Sequence, residues 1–195
     1  VHFRARKKQL KKMRNSIIIL CTLLSLPVFA QSTYKTAAFS AVVKGTSNLH
    51  NWQSETKQAK ATASLGISGT ELRSVESLVV DMPVRSIKSE KGSIMDGKTY
   101  KALAADKNPN ITLRLVSAEV QGNLVNATCS LNIAGTTNTI DLAVKTKVNA
   151  DGSVQFTGSK KIKMTDYKVN PPTALMGALT TGNDVEIFFN LTLKQ

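Results

Sequence analysis

The sequence predicts an all-β fold, a single eight-stranded antiparallel β-barrel with a short helix near one end. Three observations lead there. Beyond residue 30, apolar and polar residues alternate with a period of two through most of the chain, the mark of strands with one buried face. Turn signals at Ser68-Gly69, Gln121-Gly122-Asn123, Ala134-Gly135 and Asp151-Gly152 separate these runs at short intervals and can supply the positive φ of hairpins. Eight successive runs of this kind can close on themselves, which removes the unpaired edges an open sheet would leave. A two-sheet sandwich is the architectural alternative.

In chain order the predicted strands are 36–43, 59–67, 78–84, 111–120, 125–133, 140–148, 154–164 and 185–193. The last is the clearest: Val185, Ile187, Phe189, Leu191 and Leu193 share one face, opposite Glu186, Asn190, Thr192 and Lys194 with Phe188. Val125, Ala127, Cys129, Leu131 and Ile133 likewise oppose Asn126, Thr128, Ser130 and Asn132. Ile140, Leu142, Val144 and Val148 oppose Asp141, Lys145 and Lys147. This phase turns Val125, Cys129, Leu131, Ile140, Leu142, Val185, Ile187 and Phe189 toward the barrel interior. One helix is predicted from Asp96 onward, with Asp96 as N-cap, a hydrophobic staple between Met95 and Tyr100, and a stop at Asn108-Pro109.

The first thirty residues differ from the rest. A basic segment containing Arg4, Arg6, Lys7, Lys8, Lys11, Lys12 and Arg14 precedes the apolar run SIIILCTLLSLPVF at 16–29. That run is shorter than the roughly 20 residues of a membrane span. Small side chains at Val28 and Ala30 suit a signal-peptidase site, so residues 1–30 are read as a signal peptide and 31–195 as the barrel domain, exported and soluble after cleavage. The segment carries seven basic residues and no acid, which leaves the remainder with 19 basic and 13 acidic side chains and a net charge of +6, against +13 for the whole chain. That excess is compatible with transient contact with an anionic membrane surface, while export argues against nucleic acid. The oligomeric state, a homodimer included, stays open.

The inventory for catalysis is thin. Beyond residue 30 there is one histidine, His50, and one cysteine, Cys129, nearly eighty positions away. No zinc-ligand spacing surrounds His50, no nucleophile-elbow pattern exists, and neither a phosphate loop nor a dinucleotide fingerprint is present. No enzyme, no catalytic residue, no metal and no cofactor is expected. A lone cysteine permits no internal disulfide, so the fold must stand on its core.

What remains is the interior, because an eight-stranded barrel is wide enough either to fill with its own side chains or to hold one small ligand. Ala61 and Ala63, with Ala59, line one face of the second strand. If they point inward they leave volume for an apolar tunnel; if they face outward or pack beneath the helix they leave none. The ligand-contacting set is read as Ala61, Ala63, Val125, Cys129, Leu131, Leu142, Ile187 and Phe189. His50 and Trp52, in the segment GTSNLHNW at 45–52, complete this set, and the alternative reading of the pair is a plug that closes one barrel end.

Several blocks together resemble the YceI-like family of polyisoprenoid-binding, lipocalin-like proteins of the bacterial envelope. They are GTSNLHNW at 45–52, VDMPVRSIKS at 80–89, MDGKTYKAL at 95–103 with NPNITLRL at 108–115, LNIAGTTNTIDL at 131–142, and MTDYKVNPPTALMGALTTGNDVEIFF at 164–189. The GTSNLHNW and PPTALMG forms resemble a Bacteroidetes-type subgroup. The resemblance implies a lipocalin-like barrel, a periplasmic location, and a long apolar tunnel for an isoprenoid lipid such as a quinone or a polyprenyl phosphate. It carries over no catalytic residue. A solid barrel serving as an interaction or stress-response module is the functional alternative.

Overall fold

The computed structural model describes residues 32–195; the expected signal peptide and its cleavage site lie outside the described residues. Among the described residues the strands are β1 (Ser32–Ser47), β2 (Trp52–Thr56), β3 (Lys60–Ser68), β4 (Glu71–Pro83), β5 (Lys88–Ser89), β6 (Asn110–Gln121), β7 (Leu124–Ile133), β8 (Thr136–Val148), β9 (Val154–Lys163), β10 (Thr173–Ala174) and β11 (Leu179–Lys194), with one α-helix, α1 (Ser93–Ala102). Eight of them, β1, β3, β4, β6, β7, β8, β9 and β11, correspond to the predicted runs and pair antiparallel in chain order, and β11 returns to β1. The result is a closed eight-stranded antiparallel barrel, not a sandwich.

The predicted turn glycines do what the hairpins require: Gly69, Gly122, Gly135 and Gly152 all have positive φ, between 60° and 80°. The eight residues predicted to face inward do so. Bulges reset the phase elsewhere, because one extra residue in a strand turns every later side chain to the opposite face. In β6 the break lies between Leu115 and Ser117, so Ile111, Leu113 and Leu115 face inward before it and Ala118 and Val120 after it. Val116, at the bulge, is thrown out to solvent at 64% exposure.

One strand of the barrel is split. β2 pairs with Ala41–Gly45 of β1 and β3 with Ser32–Lys35, in the same register, while residues 57–59 leave the ladder between them. The Ala61 amide there donates to Thr36 Oγ1 at 2.6 Å. The split lets β2 leave β4 and pair with β5, which carries α1 beside the end of the barrel.

α1 begins three residues earlier than predicted, at Ser93 after Gly92, and Asp96 is not its N-cap. The Asp96 carboxylate is instead buried, where Oδ1 accepts the Ser89 amide at 2.7 Å and Oδ2 lies 3.4 Å from Lys88 Nζ. Met95 is exposed, so no staple forms with Tyr100, whose hydroxyl contacts the Ile87 carbonyl at 2.9 Å. The helix stops well before Asn108. Ala104 adopts φ 48°, and the Ala105 amide donates to the Tyr100 carbonyl while that of Ala104 donates to Lys101, the 6→1 and 5→2 bonds of a Schellman end made without glycine.

The two ends of the barrel differ. At one, tight turns join β3 to β4, β6 to β7 and β8 to β9. At the other stand the 48–51 loop, the long connection 84–109 with α1, and residues 164–178.

Candidate functional site

The tight-turn end is solid. Tyr34, Leu65, Leu72, Val154 and Leu193 pack there with exposures of 6% or less. Above this floor the inward side chains no longer meet, leaving a cavity of about 600 Å³, within the usual range for small-molecule sites. Phe39, Leu78, Leu113, Leu115 and Phe189 face it and are only half-buried although they point away from bulk solvent, as expected for side chains with no atoms opposite them. The interior is therefore hollow, which corrects the solid-barrel alternative. It is a blind pocket rather than a through-tunnel.

The wall is almost wholly apolar through its depth, and polarity is concentrated toward the long-loop end. There the lining includes His50, Lys91, Met95, Thr173 and Thr180, all exposed, so this end is the mouth. The GTSNLHNW segment forms part of the rim through a local hydrogen-bond network. Ser47 Oγ donates to the His50 carbonyl at 2.7 Å and accepts the His50 amide at 3.1 Å. Asn48 Nδ2 donates to the Ala178 carbonyl at 2.8 Å and its Oδ1 accepts the Thr180 amide at 3.1 Å, tying the loop to β11. The Trp52 indole donates Nε1–H to the Thr46 carbonyl at 3.0 Å and lies over Gly45, its cross-strand partner, where a Cβ would collide with the ring.

Of the ten residues read from sequence as ligand contacts, eight line the cavity: Val125, Cys129, Leu131, Leu142, Ile187 and Phe189 in its wall, His50 and Trp52 at its rim. Ala61 and Ala63 do not. They face inward and are buried at 4% and 1%, but in the packed core, where Phe39, Leu78 and Val80 pack against their cluster. The reason is steric: a small side chain on one strand makes a recess that larger neighbours on flanking strands fill first. The deep wall includes Phe39 and Leu78, which sequence reading did not single out; alternation marks an inward residue but not whether anything lies opposite it.

Cys129 is 1% exposed, and burial, with the Asp141 charge adding to it, pushes its thiol up to about 11. It is an apolar wall element at neutral pH rather than a nucleophile. Among the described residues no group of three or more His, Cys, Asp or Glu side chains stands together as a metal site would require. The chemistry on offer is partition of an apolar molecule out of water.

Comparison with known proteins follows the same lines. The model of the YceI-like domain matches residues 25–193. Similar solved structures include BcnA of Burkholderia cenocepacia, at 22% identity and TM-score 0.61 over 80% of this chain and 94% of that one. A polyisoprenoid binding domain from Saccharophagus degradans, implicated in plant cell wall breakdown, superposes with TM-score 0.62 at 13% identity over 84% and 98%. The YceI protein of Campylobacter jejuni does so with TM-score 0.55 at 19% identity over 69% and 81%. At these identities the likeness concerns the fold. No curated protein matches the chain.

Proposed function

We propose, from the premise that the chain belongs to the YceI-like family, that it is a non-catalytic carrier which holds an isoprenoid lipid, a quinone or a polyprenyl phosphate, in its barrel. The cavity of about 600 Å³ with apolar walls and a blind floor is the observation that carries this reading. Each CH₂ moved from water into such a wall contributes roughly 0.8 kcal/mol, so a single five-carbon isoprenoid unit contributes several kcal/mol before ordering costs are subtracted. The polyisoprenoid binding domain among its structural neighbours supports the same chemistry. The basic and apolar N-terminal segment supports export, so we place the carrier in the periplasm after cleavage at Ala30.

The test uses the protein's own reporter. Trp52 is the sole tryptophan and stands at the rim, so its emission responds to occupancy of the cavity. Delipidated protein titrated with geranylgeraniol should show a saturable change in that emission, and native mass spectrometry should show a one-to-one adduct. No adduct and no saturable change would overturn the carrier reading. N-terminal sequencing of the periplasmic protein should start at Gln31, and recovery of residues 16–29 in the membrane fraction would overturn the proposed location.

A further inference from the structure

Strands β8 and β9 pair only from Val148 opposite Val154 to Lys145 opposite Thr157. Both continue beyond that point, β8 back to Thr136 and β9 on to Lys163, without a ladder between them, so the barrel wall has a seam on one side. A lateral recess of about 460 Å³ lies on this seam, lined by residues that include Asn138, Lys160, Lys161 and Asp166. Ile140, Lys160, Ile162 and Tyr167 line both the recess and the apolar cavity, so the two share a wall.

Tyr167 is the informative member of that wall. It is 2% exposed, and its hydroxyl is a buried side-chain polar atom with no hydrogen-bond partner among the described residues. Leaving such a group unpaired costs its full desolvation, so a buried hydroxyl of this kind marks a place where a partner belongs. Asn138 is the polar side chain that acts on this hydroxyl, but the hydrogen bond it makes within normal geometry runs from Nδ2 to the Asp166 carbonyl at 2.8 Å, and Lys160 Nζ donates to the Asp141 carbonyl at 2.7 Å. Burial also holds the Tyr167 phenol above its ordinary range, with Asn138 pulling the other way, so it stays a donor at neutral pH. An ammonium has three donors, which leaves Lys160 two for another acceptor. Lys160 and Lys161 set two positive charges against the single carboxylate of Asp166 in the recess.

We infer that the seam between β8 and β9 is the head-group site of the bound lipid: an anionic oxygen group, phosphate or carboxylate, accepts the Tyr167 hydroxyl and faces Lys160 while the chain lies in the cavity. The head then leaves the barrel through its side and not through the mouth. This rests on the carrier reading above.

Three probes with one chain separate the cases: geranylgeranyl phosphate, geranylgeranoic acid and geranylgeraniol. Wild-type protein should bind the two anions more tightly than the alcohol. Tyr167→Phe removes only the hydroxyl, and Lys160→Met removes the charge together with the hydrogen bond to the Asp141 carbonyl. Each should weaken at least one anion by about tenfold or more, the range of a hydrogen bond to a charged group, with a smaller change for the alcohol. The anion that loses more identifies the head. The thermal midpoint of unliganded Tyr167→Phe should be unchanged or higher, which separates lost binding from lost folding. Anion affinity that survives both substitutions, or that falls instead in Lys91→Met or Lys98→Met at the mouth, would overturn the inference. Alcohol bound with no anion preference overturns this site alone. Failure of all three probes to bind wild type overturns the carrier reading with it.

Discussion

Gly45 sits beneath the Trp52 indole, and the close approach needs the missing side chain rather than an unusual backbone, since a Cβ would overlap the ring. Gly45→Ala should push the indole off its Thr46 hydrogen bond, shift its emission and destabilise the protein by about 1–3 kcal/mol as an overpacking change. Thermal unfolding followed by tryptophan emission checks both. The small residues of β3 lead to a contrast between two substitutions. Ala63 is 1% exposed in packed core, so Ala63→Phe should lower stability by about 1–3 kcal/mol or more. Ile187 is half-buried on the cavity wall, so Ile187→Trp has space to enter; it should leave the thermal midpoint nearly unchanged and reduce geranylgeraniol binding. A stable Ala63→Phe protein that no longer binds the probe would place the cavity where these alanines stand.

Among the elements, the β8–β9 hairpin stands out because a short ladder and its turn hold together strands that part farther on. Asp151 fixes that turn: Oδ1 accepts Ser153 Oγ at 2.6 Å and the Ser153 amide at 3.0 Å, and Oδ2 lies 3.1 Å from Lys194 Nζ on β11. The Ser153 hydroxyl first, then its amide, and then Lys194 hold the carboxyl at about 2. A depressed acid favours the folded state above its unfolded value near 4, and that contribution fades as pH falls toward 2. The Asp151 carboxyl followed by NMR should titrate near 2, and Ser153→Ala should move its midpoint toward the ordinary value. A midpoint near 4 in the parent protein would show that the turn does not hold it. Lysines 145, 147, 160, 161 and 163 also lie along this hairpin, the residue type that keeps unpaired strand edges from pairing with another chain.

At the scale of the whole molecule, the exposed large apolar side chains among the described residues are unevenly placed. Leu49, Ile94, Met95 and Met176, exposed at 67%, 78%, 36% and 109%, sit on the three segments that border the mouth; the remaining two, Val116 and Phe188, are on strands. Lys91 and Lys98 line the same mouth. Under the carrier reading proposed above, these apolar tips with two cations beside them are the surface the barrel would turn to an anionic bilayer. Replacing Leu49, Ile94 and Met176 together by Ser should reduce flotation with vesicles containing phosphatidylglycerol and slow lipid uptake from them, without changing affinity for geranylgeraniol in solution. Equal flotation of both proteins would remove this role from the rim.

Much of this protein was determined locally. Period-two alternation and the turns at Gly69, Gly122, Gly135 and Gly152 placed the eight barrel strands and the inward phase of β7, β8 and β11, because pleat and positive φ are properties of a few adjacent residues. His50 and Trp52 were legible as an end of the barrel because they fall between two predicted strands. Other features depend on partners distant in sequence. Asp96 looked like a helix cap and became a buried acceptor for Ser89, and the left-handed residues at Ala104 and Lys168 carry no glycine to announce them. Ala61 and Ala63 were read for the space they leave, yet whether space remains is decided by Phe39, Leu78 and Val80 on other strands. The seam beside Tyr167 coincides with a break in the alternation of β9, where Gly158-Ser159-Lys160-Lys161 follows the last ladder pair at Thr157, but that polar run does not by itself say that the two strands part there. Alternation tells which side chains turn inward; how far the interior is filled depends on the sum of volumes meeting across the barrel, and only the tertiary structure performs that sum.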